Sequence, residues 1–308
     1  MKFFIFLVVL IHTGLSFAQT KTNINNLEIP EFKKNECIIH HEGYVLSYNE
    51  THEQANWVAY ELTDSETVTI FKRTNKFMSD PDIKTESANT EDYLKSGYDR
   101  GHLAPAGDMA WSENSMKESF YYSNMSPQQP SFNRGIWKKL EEQVRGWANE
   151  YHSVYVVTGP ILDSHLITIG INNVSVPNYF YKVILTAQGS YVNGIGFILP
   201  NATSTLPLQH YAVTIDSVEK MTHINFYPKL DDDIEKKIEN HYNLNDWNWN
   251  TTSKKQTQPI IDLEDDDEED TSPSNNQSQS TQCTGTTKKG TRCHKKTTNK
   301  NGKCYLHE

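Results

Sequence analysis

The chain has 308 residues, of which 36% are hydrophobic, and its formal net charge is −10. This length and apolar content allow one sizeable core with small appendages. The acidic balance argues against a protein that coats nucleic acid through overall positive charge, although a local basic groove could still hold phosphates. We therefore expect any affinity for nucleic acid to be modest and sensitive to salt.

The N-terminus has the three parts of a secretory signal peptide. Lys2 supplies a positive region, Phe3–Leu10 an apolar region, and Ser16-Phe17-Ala18 a cleavage site of the small-x-small type. No later stretch is long and apolar enough to cross a bilayer. The sequence predicts a signal peptide at 1–18 and a soluble, exported mature protein, either periplasmic or secreted. An uncleaved membrane anchor is the less favoured alternative.

Residues 19–55 form a polar lead-in with one candidate strand at 43–48. The next domain covers residues 56–250. It opens with two segments, 56–62 and 66–73, whose alternation and β-branched residues predict strands. A long polar loop then leads into the next motif.

The stretch Ser96–Met109 concentrates the groups that a chemical site needs. Within it lie one histidine, one arginine, two aspartates and three glycines. Pro105 breaks any helix there, so His102 is expected at a strand end or in a loop. Histidine titrates near neutral pH and can act as a general base toward water. Taken alone, such a motif more often satisfies buried polar groups in a turn.

A helix of about four turns is expected after Asn133. Its apolar residues, spaced three or four apart, are Ile136, Leu140, Val144 and Trp147. Asn133 would then occupy the N-cap, within reach of free amides and of anions. Glu141 lies roughly 80° around the helix from Asn133, so both share one side. On spacing alone, Glu141 is better explained as a solvated helix charge.

Later segments complete an α+β domain. Strands are predicted at 153–158, 179–186 and 191–199, an edge strand at 211–215, and helices at 216–222 and 232–242. An antiparallel sheet with helices on its faces follows from this order. Trp137 and Trp147 are expected in the core rather than as stacking platforms for bases.

The C-terminal part differs in composition. Residues 251–282 are acidic, low in complexity and nearly free of aromatic residues, which predicts a flexible linker. Residues 283–308 form a small tail that holds three of the four cysteines. Its candidate zinc ligands are Cys283, Cys293, Cys304 and His307. Disulfides are the alternative, because the four cysteines, Cys37 included, could pair in three ways in an exported protein.

Two motifs in order carry a family resemblance. Asp99-Arg-Gly-His102 and the run Ser123–Glu141 resemble the signature of the DNA/RNA non-specific endonucleases, and the similarity extends over Tyr60–Phe226. The resemblance implies the ββα-metal nuclease fold and a metal-dependent hydrolysis of DNA and RNA that leaves 5′-phosphate ends. The tail also resembles a short Cys-Cys-Cys-His module of other bacterial proteins.

The same resemblance assigns roles at the site. It implies His102 as the general base and one Mg²⁺ bound directly by Asn133, with Glu141 as a ligand through water. Mn²⁺ could replace Mg²⁺. Asn124 would have a supporting role, orienting the local network of hydrogen bonds.

Arginines supply the remaining implied roles. Arg73 would stabilise the charged transition state, although without the resemblance it would be taken for a surface charge at a strand end. Arg100 could bind phosphate or brace its loop by pairing with a carboxylate, and the two roles are equally favoured. Arg134 is a further phosphate candidate outside this core set.

The sequence thus predicts an exported, magnesium-dependent, sugar-non-specific endonuclease that acts on DNA and RNA. Two alternatives stay open: a nucleic-acid binding or uptake protein without turnover, and a nuclease toxin delivered to competitors. A purely structural scaffold is disfavoured because both motifs occur in order. The sequence leaves open the preference between DNA and RNA, the choice of single or double strands, the oligomeric state (a homodimer included) and the physiological role.

Overall fold

A computed structural model describes residues 25–85, 87–188, 191–251 and 259–263, and in the tail 281–282, 284–286, 296–297 and 303. The chain divides into two compact units, residues 1–263 and 264–308. The predicted signal peptide and all four candidate zinc ligands lie outside the described residues. Export and the choice between zinc and disulfides therefore stay predictions.

The first unit is built on a seven-stranded antiparallel sheet with the order β1-β2-β3-β6-β9-β10-β11. Its strands and those of two small pairs, β4–β5 and β7–β8, are β1 (Cys37–His40), β2 (Val45–Asn49), β3 (Gln54–Thr63), β4 (Asp99–His102), β5 (Met125–Gln128), β6 (Ser153–Pro160), β7 (Thr168–Ile169), β8 (Val174–Ser175), β9 (Tyr179–Gln188), β10 (Tyr191–Pro200) and β11 (Ala212–Val213). β9 and β10 pair over ten residues each.

Among the described residues, six α-helices accompany the strands. They are α1 (Thr90–Tyr93), α2 (Glu113–Glu118), α3 (Pro130–Phe132), α4 (Lys138–Glu150), α5 (Ile215–Thr222) and α6 (Asp232–Asn240). α4 packs on one face of the sheet, against β3 and β6, while α5 and α6 pack on β10. The α+β class and the antiparallel sheet predicted from the sequence are confirmed.

Both faces of the sheet are buried, since α4 covers one face and α5 and α6 cover the other. Neighbouring residues of a strand point to opposite sides and therefore pack in different clusters. Val156 belongs to the core cluster beneath α4, whereas Val157 belongs to the cluster beneath α5 and α6. The apolar stripe predicted for the long helix is confirmed, since its four apolar residues are at most 2% exposed. Trp137 and Trp147 lie in this core.

The helix begins earlier than the sequence indicated. Pro130 occupies the first turn of α3, the turn Asn133–Trp137 follows with a kink at Gly135 (φ −107°, ψ −108°), and α4 continues after it. Asn133 has helical backbone angles (φ −54°, ψ −52°) and is therefore not an N-cap. The prediction of an N-cap was wrong because proline is favoured at the first helical position and starts the helix upstream.

The second predicted strand of the domain is also different. Residues 66–73 leave the main sheet after Thr63 and run across to the β4–β5 region. Within this segment, Phe71 forms an isolated parallel bridge to Ile261. The β-like composition identified an extended backbone, but not the partner of that backbone.

Two segments outside the predicted domain take part in the unit. β1 and β2 lie in the lead-in, and residues 259–263 pair with the 66–73 segment although their composition suggested a linker. The second unit contains a two-stranded antiparallel pair, β12 (Thr281–Gln282) with β13 (Lys296–Thr297). Among the described residues, no helix combines the length and the apolar character needed to span a membrane.

Candidate active site

One cleft of the first unit gathers the residues that the motifs singled out. Its cavity of about 480 Å³ is bordered by β4, the start of the long helix and the 66–73 segment. The polar side chains that line it are Thr69, Arg73, Arg100, His102, Asn133, Arg134, Lys138, Glu141 and Arg145. Every predicted catalytic and metal-binding residue of this unit is therefore at one place, whereas Asn124 lies behind the cleft wall.

The β4–β5 pair places His102 at the cleft. β4 pairs antiparallel with β5, so that His102 faces Met125 and Gly101 faces Ser126. A Cβ atom on Gly101 would lie 2.2 Å from the Gln128 side chain. The glycine of the motif is required by this close packing, which brings the two strands together beside the histidine.

Asn124 fixes the loop that follows His102. Its side chain is fully buried; Oδ1 accepts from the Ala104 N–H at 2.9 Å, and Nδ2 donates to the carbonyls of Ala104 and Ser119 at 2.9 and 2.8 Å. The Leu103 N–H donates to the Asn124 carbonyl at 3.0 Å. Asn124 therefore holds the backbone next to the histidine and does not line the cavity.

Two phenylalanine rings pack against the His102 ring. Phe120 meets the His102 ring edge-on at 4.8 Å between centroids, and Phe77 lies at 6.0 Å. An arginine lies over the ring of each phenylalanine. The Arg100 guanidinium carbon is 3.8 Å from the Phe77 centroid, and that of Arg73 is 4.9 Å from the Phe120 centroid. Cation–π contacts thus hold both arginines beside the histidine.

This environment keeps the His102 imidazole neutral. Burial, together with the nearby Arg73 and Arg100 cations, lowers the pKa of His102 to about 3. The ring is 8% exposed, and its Nε2 has no hydrogen-bond partner among the described residues. A neutral imidazole that lines a cavity can act as a general base toward a reactant held there.

Asp99 links β4 to the start of the long helix. Its carboxylate accepts from Asn133 Nδ2 at 2.9 Å and from Arg134 Nε and Nη2 at 2.8 and 2.6 Å. Because Nδ2 is held in this way, the orientation of the Asn133 amide is fixed. No described residue donates a hydrogen bond to its Oδ1, which stays available to a ligand.

Glu141 supplies a carboxylate with unused oxygens. It is half-buried in the cavity wall, and no described residue hydrogen-bonds to it. Burial raises the pKa of Glu141, while the cations of Lys182 and Arg145 oppose that rise. The sequence had favoured a solvated helix charge at this position on spacing alone, yet the helix turns the side chain toward the cleft.

Lys182 was not singled out from the sequence. It lies on β9 with no exposed surface, and its Nζ is 4.7 Å from the Trp137 ring centroid without a hydrogen-bond partner among the described residues. Burial lowers the pKa of Lys182, whereas Glu141 and Asp108 raise it. One signal was present, since a lone lysine interrupts the apolar strand Tyr179–Gln188.

A buried ion pair closes the floor of the cleft. Arg145 Nη1 lies 2.5 Å from Asp108 Oδ1, and the Tyr60 hydroxyl donates to Asp108 Oδ2 at 2.8 Å. Asp108 has no exposed side-chain surface. Asp108 is one of the two aspartates of the Ser96–Met109 stretch, but the sequence did not predict its partner, because the pair joins residues 37 positions apart.

Comparisons with known proteins identify the family that this chain resembles. The model of the DNA/RNA non-specific endonuclease family matches residues 23–233. Nuclease C1 of Cunninghamella echinulata var. echinulata is 39% identical over 207 residues, which is 62% of this chain and 82% of that protein. Mitochondrial endonuclease G of Homo sapiens is 35% identical over 209 residues, 61% of this chain and 69% of that protein. A crystal structure of an EndoG/EndoGI complex matches with a TM-score of 0.62 and 32% identity, covering 67% of this chain and 90% of that chain.

Proposed function

The chain belongs to the DNA/RNA non-specific endonuclease family and is a nuclease, and from that premise we propose that it hydrolyses DNA and RNA with His102 as the general base and a divalent cation at Asn133. The observation that carries the proposal is the neutral, unpartnered imidazole beside two oxygen ligands in one cleft. Its products would carry 5′-phosphate ends.

The proton-transfer step belongs to His102. The His102 imidazole would take a proton from a water molecule while the water oxygen attacks phosphorus and the bond from phosphorus to the 3′-oxygen breaks. The lowered pKa of His102 keeps the imidazole neutral before the reaction starts, and the negative charge of a bound phosphate would raise that pKa toward the working pH. Asn124 would support the step by holding the backbone beside the ring.

The residues of the cleft fit a hard divalent cation. Asn133 Oδ1 and the Glu141 carboxylate accept no hydrogen bond from the described residues. Both are oxygen atoms, the kind of ligand that Mg²⁺ and Mn²⁺ prefer. Asn133 would hold the ion directly and Glu141 through water. When bound, the ion would neutralise charge on the phosphate and assist departure of the 3′-oxygen.

Cations around the cavity would position the polymer. Arg73 and Arg100 flank the histidine, and Arg134 and Lys138 lie at the helix start. Contacts to phosphate and sugar carry little sequence information, which supports a non-specific action on both nucleic acids. Arg73, next to the proposed base, would stabilise charge that develops on the phosphoryl oxygens.

Export is part of the same proposal. It rests on the charged, apolar and small-residue regions of residues 1–18. We expect the full chain to be exported from a bacterial host and a chain without residues 1–18 to stay inside. Cell fractionation tests this, and equal export of both chains would contradict it.

The catalytic proposal is tested with plasmid DNA and RNA, comparing the wild type with His102→Ala and Asn133→Ala, each in Mg²⁺ and in EDTA. We expect cleavage of both substrates in Mg²⁺, none in EDTA, and a loss of about 10²–10⁴-fold in kcat for His102→Ala. His152→Ala changes an exposed histidine outside the cleft and serves as the matched control. Wild-type activity in His102→Ala would refute the assignment of the base, and binding without cleavage by the wild type would refute the nuclease mechanism.

A further inference from the structure

A short C-terminal segment runs beside the cleft. Residues 259–263, which we call the strap, pair in parallel with the 66–73 segment through an Ile261–Phe71 bridge. The Lys72 N–H donates to the Ile261 carbonyl, and the Ile261 N–H donates to the Ile70 carbonyl, both at 2.8 Å. The strap therefore uses main-chain hydrogen bonds to hold a segment that borders the active site.

The other edge of the segment is also occupied. The N–H groups of Ile70 and Phe71 donate to the Ala110 carbonyl at 2.8 and 2.9 Å. The segment thus lies between the loop after β4 and the strap. Without the strap, an edge of extended backbone would lose the bonds that fix its position.

The position of this backbone decides where Arg73 lies. Thr69, Phe71 and Arg73 all line the cavity, as the two-residue period of extended backbone requires. Arg73 comes directly after the residues that the strap holds. A shift of the backbone at Lys72 would therefore move the guanidinium relative to His102.

Leu263 adds a second support from the strap. It packs on the apolar cluster of Ala106, Ala110, Met116 and Phe120. The Phe120 ring in this cluster carries the Arg73 guanidinium on its face and meets the His102 ring edge-on. The strap also forms the Lys72–Asp262 ion pair at 2.7 Å, but both side chains are largely exposed, so this pair contributes little.

From these contacts we infer that the strap is a positioning element for Arg73, so that the catalytic unit of this chain extends to Leu263. The strap lies beyond residues 23–233, the part that matches the family. The inference rests on the proposed function, in which Arg73 stabilises the transition state. Its main-chain bonds set the Arg73 backbone, and Leu263 supports the ring beneath the guanidinium.

The test measures kcat and KM for DNA cleavage by the full-length protein with Ile261→Pro and Leu263→Asp. Proline removes the N–H that bonds to Ile70, and aspartate removes the apolar packing of Leu263 on the cluster that contains Phe120. We expect each variant to lose about tenfold or more in kcat with little change in KM, because misplacing a charge-stabilising group by about 1 Å costs up to about 100-fold. Ile260→Ala truncates a neighbouring half-exposed residue that forms neither the bridge to Phe71 nor the bonds to Ile70 and Lys72, and it is the matched control with wild-type kcat.

A double-mutant cycle with Arg73→Ala separates positioning from general damage. If the strap acts through Arg73, adding Leu263→Asp to Arg73→Ala lowers kcat no further. A full additional loss in that background, or wild-type kcat in both strap variants, would overturn the inference while leaving the nuclease proposal intact. A wild-type protein that cuts no nucleic acid would overturn the proposed function itself, and with it the inference.

Discussion

Two clusters of acidic groups respond to burial in opposite ways. In the cleft, the fully buried Asp108 is paired with Arg145 and accepts the Tyr60 hydroxyl. Between α5 and α6, carboxylate oxygens of Asp216, Glu219 and Glu239 lie within 4.8 Å of one another. One cluster balances its charge with cations, whereas the other places like charges together.

The pKa values express this difference. Burial, together with the neighbouring carboxylates Glu219, Glu235 and Asp216, raises the pKa of Glu239 to about 7. The nearby cation is Lys220, an exposed side chain 3.9 Å from Asp216. In the cleft, a cation neutralises the buried carboxylate of Asp108. Between α5 and α6, the raised pKa lets a proton neutralise the carboxylate of Glu239 instead. Removing charge should therefore destabilise the first cluster and stabilise the second.

Breaking the buried pair should have the largest effect on stability. Arg145→Met leaves Asp108 ionised without its cation, and we expect the free energy of unfolding to fall by about 3–5 kcal/mol. Urea unfolding followed by circular dichroism measures this. The matched control is Arg134→Met, which breaks the Asp99 pair with a guanidinium that is 72% exposed, and it should cost much less. Equal losses in the two variants would contradict the distinction between buried and exposed pairs.

Removing the buried Lys182 ammonium, which has no hydrogen-bond partner among the described residues, should change the pH dependence of activity. In Lys182→Met, burial of Glu141 is no longer opposed by a neighbouring ammonium, so the pKa of Glu141 rises further. We expect the acid limb of kcat/KM to move to higher pH, with about a tenfold loss at pH 7 that recovers above pH 8. A pH profile of DNA cleavage measures the shift.

Lys138→Met is the control for that profile. Lys138 also lines the cleft but is exposed, so its loss should lower kcat/KM at every pH without moving the limb. An unmoved limb in Lys182→Met would show that Lys182 serves packing rather than the charge of Glu141.

The smallest effect is expected at the acidic cluster. Because the pKa of Glu239 is raised on folding, its contribution to stability is fully present below about pH 4.5 and is lost as pH rises through about 7. Glu239→Gln should therefore match the wild type at pH 4.5 and be more stable at pH 8, by about 1 kcal/mol after screening by solvent. Thermal unfolding at both pH values measures this, with Glu150→Gln as an exposed control. A variant that is less stable than the wild type at pH 8 would mean that an ion, not a proton, balances the cluster.

Local patterns predicted the parts of the fold that depend on neighbouring residues. The spacing of Ile136, Leu140, Val144 and Trp147 predicted a buried helical stripe, and alternation predicted the long strands around Val156. The helix start was misplaced, because Pro130 and the turn Asn133–Trp137 extend it upstream of the apolar pattern. The 66–73 segment was assigned to a strand because composition reports extended backbone and not its partner.

The sequence by itself determined the family and the α+β class, and it predicted His102, Asn133 and Glu141 as site residues, since these follow from short motifs and their order. Only the tertiary structure decided which groups surround them. Three of these contacts join positions far apart in the chain: the hydrogen bond from Asn133 to Asp99, the Lys182 ammonium near Glu141, and the strap beside Arg73. The reason is physical: a pKa depends on burial and on charges brought together by folding, which no local pattern records.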